Sequence, residues 1–537
     1  MAVFLNTTSP FENYRSVVSA RFFVDKTWLL DEILEAANTD NQRYTCVTRP
    51  RRFGKTVMAN MIGAFLGKAS DGKQVFHKLN IARSGHYQSH LNKHDLIYID
   101  FSRLPEKCTS YDSYISRIIH GLKSDLLQEF SSLALDTGQS VWDMMAEIFH
   151  QTKRTFIFVI DEWDAVFHMP FISQREQEEY LLFLKNLLKD QVYVELAYMT
   201  GILPIAKYSG GSELNMFAEY NMATKEKFSG YFGFSEAEVD KLFDIYKATT
   251  RCPRLTREDL RLWYDGYYTA SGEWLYNPRS IVCALSDNQL GNYWTGSGPY
   301  DEILYYIKDR ADQVQEDLAL MVSGEHIETK VQEYAATAKE LTTRDQIYSA
   351  MVVYGLLTYK DGEVFIPNRE LMEKYNELLL RSEDLGYIHR LAKESSKMLK
   401  ATLTGDTRKM AEILKFVHDT ESPIFSYNSE IELSAVVNLA YLAARDKYRI
   451  EREDKAGEGY VDFIFYPDRG NDDAVILELK IDSSPEEAIR QIKEKNYALR
   501  FKGKLGEKPK YTGRILAVGI NCNKKSKEHS CQVEVLL

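Results

Sequence analysis

Residues Tyr44 to Thr56 read Tyr-Thr-Cys-Val-Thr-Arg-Pro-Arg-Arg-Phe-Gly-Lys-Thr. The first five residues are β-prone, and the Gly-Lys-Thr triplet opens an apolar pattern of helical spacing that continues to Phe65. A strand, a loop ending in Gly-Lys-Thr and a helix form the context that a phosphate-binding loop requires. The stretch therefore predicts a nucleotide-binding α/β domain.

Each residue of this loop has a predicted part in binding. Backbone N–H groups at the helix start and the Lys55 ammonium group would hold phosphates, and the Thr56 hydroxyl would reach a magnesium ion. Arg49 stands where the general motif has its first glycine, which weakens the match because glycine permits the tight turn there. The predicted nucleotide-binding residues of the loop are Arg49, Arg51, Arg52, Gly54, Lys55 and Thr56.

Three further strands are predicted, at residues 95–102, 155–160 and 192–199. The second is apolar throughout, as in a strand buried on both faces of a parallel sheet, and it ends in Asp161 and Glu162. Ligands of open α/β sheets bind at the carboxyl ends of the strands. We expect Asp161 to hold magnesium, Glu162 to orient or deprotonate the attacking water, and Thr200 to sense the γ-phosphate. Taken alone, Asp161 and Glu162 would equally fit a helix N-cap and its neighbour.

The middle of the chain is predicted to be mainly helical, beginning with a capping box at Ser235. Residues 355–367 form a β-hairpin pattern with an Asp-Gly turn, and helices followed by one hairpin suggest a winged-helix module. Packing is favoured over DNA binding for this module because no basic cluster marks it. Residues 384–419 are helical and charged, as in a connector.

Two apolar strand patterns near the C-terminus carry acidic residues, Asp462 in the first and Glu478 in the second. Lys480 shares a strand face with Glu478 because residues two apart point the same way. We expect the two carboxylates to converge on one divalent cation, with Lys480 beside it; oxygen ligands favour Mg²⁺ or Mn²⁺ over zinc. The alternative is an exposed surface hairpin, although every other residue of 475–481 is aliphatic.

Two helices flank these strands. Glu430 is in phase with the apolar face that includes Leu433 and Val437, so the preceding helix would direct Glu430 at the site. The following helix has Ser484 as its predicted cap and Pro485 at its first position, and it carries Gln491 toward the same edge to contact a substrate phosphate.

Composition narrows the functional class. The chain has 537 residues with a net charge of −11, which argues against a protein that coats nucleic acid by bulk electrostatics. Its six cysteines form no Cys-x-x-Cys pair, and no apolar run approaches the roughly 18 residues of a membrane span. With no secretory leader pattern, we expect a cytoplasmic protein that does not engage membranes. Residues 493–537 are locally basic, which fits either phosphate-backbone binding or a solvated lysine-rich surface.

The order of these motifs resembles the bacterial AAA-ATPase-like proteins fused to a C-terminal PD-(D/E)XK nuclease domain, over nearly all of the chain. An arginine in place of the first loop glycine is typical of that family. The motifs that carry the resemblance are Phe23-Val-Asp-Lys-Thr27, Arg49 to Thr56, Ile160-Asp-Glu-Trp-Asp164, Phe232-Gly-Phe-Ser235, Trp263-Tyr-Asp-Gly-Tyr267, Tyr276-Asn-Pro278, Tyr427-Asn-Ser-Glu430, Gly459-Tyr-Val-Asp462, Leu477-Glu-Leu-Lys480 and Gln491 to Tyr497.

The resemblance implies an α/β chain: an AAA+-like doubly wound parallel sheet domain, a helical and winged-helix-like middle, and a restriction-endonuclease-like α/β domain. It supports Lys55, Thr56, Asp161 and Glu162 as the ATPase residues and Glu430, Asp462, Glu478 and Lys480 as the nuclease residues. The predicted boundaries are 1–225 for the ATPase core, 226–300 for a helical lid, 301–385 for the winged-helix-like region, 386–425 for the connector and 426–537 for the nuclease.

The predicted function is an enzyme that binds and hydrolyses ATP and contains an Mg²⁺- or Mn²⁺-dependent nuclease acting on DNA. Its predicted partners are nucleic acid, nucleotide and a second copy of the chain, since Arg51 and Arg52 could act within the subunit or across an oligomer. One alternative is a nucleotide-dependent switch or remodelling ATPase whose nuclease-like domain only binds nucleic acid or a partner. Another keeps the nuclease, with nucleotide merely stabilising the fold.

Overall fold

The computed structural model describes residues 2–39, 42–205, 213–294, 312–331, 341, 343–381, 383–420, 430–456, 459–501 and 511–536. The chain forms two compact units. The first consists of Met1–Gly298 with Glu328–Asn368, and the second of Pro299–Ile327 with Arg369–Leu537. The finer division into five regions stays a prediction.

The helices are α1 (Ser9–Val18), α2 (Trp28–Thr39), α3 (Lys55–Leu66), α4 (Lys73–Phe76), α5 (Tyr87–His90), α6 (Tyr111–Glu129), α7 (Val141–Thr152), α8 (Gln174–Leu188), α9 (Glu236–Thr249), α10 (Arg257–Tyr264), α11 (Pro278–Asp287), α12 (Asp312–Val322), α13 (Arg344–Tyr354), α14 (Arg369–Arg381), α15 (Gly386–Thr404), α16 (Thr407–Thr420), α17 (Glu430–Ala440) and α18 (Pro485–Glu494). None of the helices in the described ranges combines the length and the apolar character that crossing a bilayer requires.

The strands are β1 (Tyr44–Thr48), β2 (Asp95–Asp100), β3 (Phe156–Asp161), β4 (Val194–Gly201), β5 (Ala218–Tyr220), β6 (Tyr267–Tyr268), β7 (Trp274–Leu275), β8 (Ile327–Glu328), β9 (Thr358–Lys360), β10 (Glu363–Phe365), β11 (Tyr448–Ala456), β12 (Gly459–Pro467), β13 (Ala474–Ile481), β14 (Ile515–Cys522) and β15 (His529–Val535).

A five-stranded parallel sheet organises the first unit, in the order β2-β3-β4-β1-β5. Alternate strand residues enter two separate cores: Phe158 packs with helices α6 to α8 on one face, and Val159 packs with α1 to α3 on the other. Helices therefore cover both faces, and the predicted doubly wound sheet is confirmed. The short strand β5 was not predicted.

The predicted helical section and hairpin are also present in the first unit. Helix α9 begins with the predicted capping box between Ser235 and Glu238 and shares a small core with α10 and α11. Strands β9 and β10 pair antiparallel around Asp361 (φ 52°) and Gly362 (φ 93°). Two consecutive positive φ angles match the type I′ turn that Asp-Gly favours.

A mixed five-stranded sheet organises the second unit, in the order β11-β12-β13-β14-β15, with β13 and β14 parallel and the other pairs antiparallel. The apolar run of residues 515–520 predicts a third strand in addition to those of Asp462 and Glu478, so the prediction covers β12, β13 and β14 and missed β11 and β15. Both are the outermost strands of the sheet, and their sequences are largely polar or charged. An edge strand needs less apolar surface, which is why its sequence carries a weak strand signal.

Helix α18 packs closely on this sheet. Its Ile489 and Ile492 join Ile464 and Ile476 in one core. A Cβ atom on Gly519 of β14 would lie only 2.2 Å from the backbone oxygen of Pro485, the first residue of α18. The absence of a side chain at Gly519 thus lets the helix start approach the sheet.

Candidate functional sites

The loop from Arg49 to Gly54 connects β1 to α3 in the first unit, in the predicted order of strand, loop and helix. Gly54 caps α3 with φ 92°, a conformation that residues with a Cβ rarely adopt. Lys55 is buried, and its Nζ donates to the backbone oxygens of Arg49 (3.1 Å) and Pro50 (3.2 Å). The ammonium group is therefore held over the loop, 3.8 Å from Glu162 Oε1.

A cleft of about 970 Å³ opens beside this loop. Its wall combines charged side chains with apolar ones, the latter including Phe22, Phe23, Val24, Phe234 and Val282. Charged and apolar side chains in one cleft suit a nucleotide, whose phosphates are charged and whose base is largely apolar. The predicted residues that line the cleft are Arg51, Arg52, Gly54, Lys55, Thr56, Asp161 and Glu162.

Burial raises the pKa of both carboxyl groups at the end of β3, Asp161 and Glu162. Asp161 accepts a hydrogen bond from Thr200 Oγ1 (2.5 Å), and burial raises the pKa of Asp161 to about 6 although hydrogen bonds from Thr200 and Thr56 oppose the shift. Burial also raises the pKa of Glu162, which the nearby Lys55 opposes. Glu162 has φ 50°, an uncommon backbone conformation of the kind found at functional sites. Thr200 is fully buried and does not line the cleft, but its hydroxyl donates to Asp161 and accepts from the backbone N–H of Glu162 (3.4 Å), and both of those residues line it.

Arg49 is a second predicted nucleotide-binding residue that, like Thr200, does not line the cleft. Its side chain points away from the cleft and is buried, donating to the backbone oxygens of Thr48 (2.8 Å) and Tyr220 (2.7 Å). The guanidinium carbon lies 4.9 Å from the centre of the Phe232 ring. Since Tyr220 belongs to β5, Arg49 joins two strands, and its placement does not support the predicted nucleotide contact.

The second unit brings four predicted residues together on one face of its sheet. Asp462 of β12 and Glu478 of β13 lie on the face covered by α18, and Asp462 accepts a hydrogen bond from the backbone N–H of Leu479 (2.7 Å). Lys480 Nζ is 3.5 Å from Glu478 Oε1, and the amide of Gln491 on α18 donates to the same oxygen. The structure therefore brings together four of the predicted residues: Asp462, Glu478, Lys480 and Gln491.

The electrostatics of this cluster fit a divalent cation. Burial, with the negative charge of Asp462 second, raises the pKa of Glu478 to about 7, and Lys480 opposes the shift. Glu478 is 4% exposed, and its Oε2 has no hydrogen-bond partner among the described residues. A buried carboxylate oxygen without a partner is costly unless a cation compensates it. Asp462 and Glu478 would be the residues to hold such an ion.

Comparison with known families finds one match in each unit. Residues 9–209 match the family of predicted AAA-ATPases, and residues 433–530 match the PD-(D/E)XK nuclease superfamily. The chain carries an AAA-ATPase-like domain and a PD-(D/E)XK nuclease domain. The sheets of the two units have the corresponding folds. No curated protein matches the sequence.

Solved structures similar to this chain are distant in sequence. A Walker-type ATPase of Pyrococcus abyssi has 13% identity and a TM-score of 0.37, over 65% of this chain and 94% of its own. The ORC2 protein of Aeropyrum pernix has 10% identity and a TM-score of 0.32, over 69% and 94%. The Aeropyrum pernix ORC1 protein in complex with DNA has 13% identity and a TM-score of 0.22, over 91% and 98%.

Arg279 and Asp100 are among the residues of the cleft that were not predicted. Arg279, near the start of α11, lines the cleft, and its charge together with that of Arg51 helps burial to lower the pKa of Arg52. Asp100 ends β2 beside Asp161 in the strand register. Asp100 could have been found from the sequence, since it ends a predicted strand at the edge where ligands bind. Arg279 lies in a turn-rich motif that carries no such signal.

The helix of the PD-(D/E)XK domain that carries Glu430 is present. Glu430 is the first residue of α17, and the apolar residues Leu433, Val436 and Val437 of that helix are buried as predicted. The side chain of Glu430 lies outside the part that the structure describes, so its role in the site stays a prediction.

Proposed function

We propose that the protein is an ATP-controlled, Mg²⁺-dependent nuclease that cleaves DNA, with ATP bound and hydrolysed in the cleft of the first unit. The observation that carries the nuclease assignment is the convergence of Asp462, Glu478 and Lys480, with a buried carboxylate oxygen that no described protein group satisfies. Two acidic ligands and a lysine at this spacing suit phosphodiester hydrolysis.

Each residue of the nuclease site has a distinct proposed role. A bound divalent ion would polarise the scissile phosphate and lower the pKa of a bound water molecule. Asp462 and Glu478 would hold that ion, and Gln491 fixes Glu478 by its hydrogen bond. Lys480 would orient the attacking water and neutralise charge on the phosphate, while Glu430 is proposed as a further carboxylate from α17.

The residues of the nucleotide cleft have equally distinct parts. Lys55, with the backbone of the loop around Gly54, would bind phosphates, and Thr56 with Asp161 would hold Mg²⁺. Glu162 would orient the hydrolytic water, and Thr200 keeps Asp161 in place. Arg51, Arg52 and Arg279 add positive charge that suits a triphosphate. The cytoplasmic location and a homo-oligomeric state stay predictions.

Cleavage assays test the proposal. The purified chain is incubated with plasmid, single-stranded DNA and RNA, with Mg²⁺ or Mn²⁺, in the presence and absence of ATP. We expect metal-dependent cleavage of DNA that Asp462→Asn and Glu478→Gln abolish. Glu494→Gln is the matched control, because Glu494 is an exposed carboxylate on the same helix as Gln491. Equal cleavage by wild type and both site variants would refute the nuclease assignment.

Lys55→Ala separates nuclease activity from nucleotide control. If ATP gates cleavage, this variant loses the response to ATP and retains the metal-dependent site. Unchanged cleavage by a variant that no longer binds ATP would contradict the gating and leave the nuclease. Binding of DNA without cleavage, in every metal, would instead favour the nucleotide-dependent switch.

A further inference from the structure

A buried cluster of two histidines and one cysteine lies in the second unit. His418 belongs to α16, Cys522 is the last residue of β14, and His529 is the first residue of β15. One ligand atom from each residue lies within 4.8 Å of the other two. The three residues are 1%, 2% and 8% exposed, so this is an interior cluster rather than a chance meeting of surface side chains.

The donor atoms have the chemistry of a transition-metal site. His418 Nδ1 and His529 Nε2 are 2.9 Å apart, a hydrogen bond in which one ring nitrogen donates and the other accepts, and an ion bound by both nitrogens would take the place of that proton. Zinc binds histidine nitrogen and cysteine sulfur at about 2.0–2.3 Å, which in a tetrahedron separates the donor atoms by roughly 3–4 Å. A small rotation of the rings would place an ion between all three donors.

The cluster is distinct from the nuclease site. In the parallel register, Lys480 of β13 pairs with Asn521 and Ile481 pairs with Cys522. Successive residues of a strand point to opposite faces, so Cys522 lies on the face opposite to Lys480 and Glu478. The sulfur ligand also separates the two sites chemically, since thiolate favours zinc and oxygen ligands favour magnesium.

We propose that His418, Cys522 and His529 bind one divalent transition-metal ion, Zn²⁺ in the first place, with a fourth position left for water. The ion would tie α16 to the turn between β14 and β15, and so fix the end of the strand that pairs with Lys480. Its role is structural, and the proposal holds whether or not the nuclease assignment does.

Metal analysis of the full chain tests this site. The protein is purified without a histidine tag, and its zinc content is measured by plasma mass spectrometry. We expect about one zinc per chain in wild type. After removal of zinc by a chelator, added Co²⁺ should restore one bound ion with a thiolate-to-cobalt charge-transfer band. Cys522→Ser should abolish the band, and His529→Gln should reduce the metal content to background.

Two controls make the result specific. Cys531→Ser changes the neighbouring cysteine of β15 and should keep the zinc and the cobalt band, and Asp462→Asn with Glu478→Gln should keep them as well. Wild-type protein that takes up neither zinc nor cobalt stoichiometrically would overturn the proposal, whatever the variants do. A cobalt–thiolate band that survives Cys522→Ser would overturn it too.

Discussion

The carboxylate of Asp462 on β12 accepts a hydrogen bond from the backbone N–H of Leu479 on β13 (2.7 Å). The backbone pairing of these strands ends at Phe463 and Leu477. Beyond that pair, the Asp462 side chain and not a backbone oxygen accepts the hydrogen bond from β13. Leu479 stands between Glu478 and Lys480, and this bond fixes the backbone that presents both. Asp462 thus shapes the proposed nuclease site as well as contributing charge to it.

The two parts of Asp462 can be separated by substitution. Asp462→Asn keeps an oxygen that accepts from Leu479 but removes the charge, whereas Asp462→Ala removes both. We expect both variants to lose more than about 100-fold in cleavage, beyond the range for groups that only support a ligand. Asp462→Ala should in addition destabilise the second unit by about 1–2 kcal/mol, because the N–H of Leu479 loses its partner. Denaturant unfolding of the two variants measures the difference; equal stability would contradict it.

Metal binding at the nuclease site should weaken in acid. The pKa of Glu478 is raised from 4.5 to about 7, so below pH 7 the incoming ion must displace a proton. About one tenth of this carboxyl is ionised at pH 6 and about nine tenths at pH 8, so we expect Mn²⁺ affinity about tenfold lower at pH 6. Titration calorimetry without nucleotide, in a background of Asp161→Asn and Cys522→Ser, isolates this site from the cleft and from the histidine–cysteine cluster. A pH-independent affinity would refute the prediction.

Arg49 should contribute to the stability of the first unit rather than to nucleotide binding. Arg49→Met removes a buried guanidinium that binds two backbone oxygens, of Thr48 and Tyr220, which we expect to cost about 2–4 kcal/mol in unfolding of the first unit. ATP affinity of the folded variant should change little, because the side chain points away from the cleft. Thermal unfolding with and without ATP tests both parts. Normal stability with lost ATP binding would restore Arg49 as a nucleotide ligand.

For Lys55 and Arg279 we expect substitution to lower the affinity for ATP rather than the stability of the first unit. Each lines the cleft, so alanine at either position removes a charged donor to phosphate, which is worth about 1.5–3 kcal/mol or roughly 10- to 150-fold in affinity. Fluorescent ATP-analogue binding measures the loss. Arg261→Ala, on the neighbouring helix α10 and outside the lining of the cleft, is a control that should bind normally. Wild-type affinity in Arg279→Ala would exclude Arg279 from the site.

Sequence reasoning was most successful where a pattern and a chemical need coincide. Apolar strand patterns lead into the loop around Gly54 and surround Asp462 and Glu478. Charged residues are costly inside an apolar core unless they have a function, so their positions could be predicted. The contacts of Arg49 with Thr48 and Tyr220 could not be predicted, because a motif gives the position of a residue and not the direction of its side chain. The edge strands β11 and β15 were missed because their polar sequences hide the two-residue period.

The cluster of His418, Cys522 and His529 shows a different limit. The residues are separated by 104 and 7 positions in the sequence, and neither spacing matches a metal-binding motif. Only the packing of α16 against the β14–β15 pair brings them together. Clusters of this kind depend on tertiary structure and leave no local signal.

Gly519 makes this domain sensitive to substitution at a residue that has no proposed catalytic or metal-binding role. Because α18 begins directly above that residue, a methyl group there would force the helix start outward and displace Gln491 from Glu478. Random mutagenesis selected for loss of cleavage should therefore return changes at Gly519 beside those at the acidic residues. In such a map of intolerant positions, a glycine of β14 would stand among the carboxylates of β12 and β13.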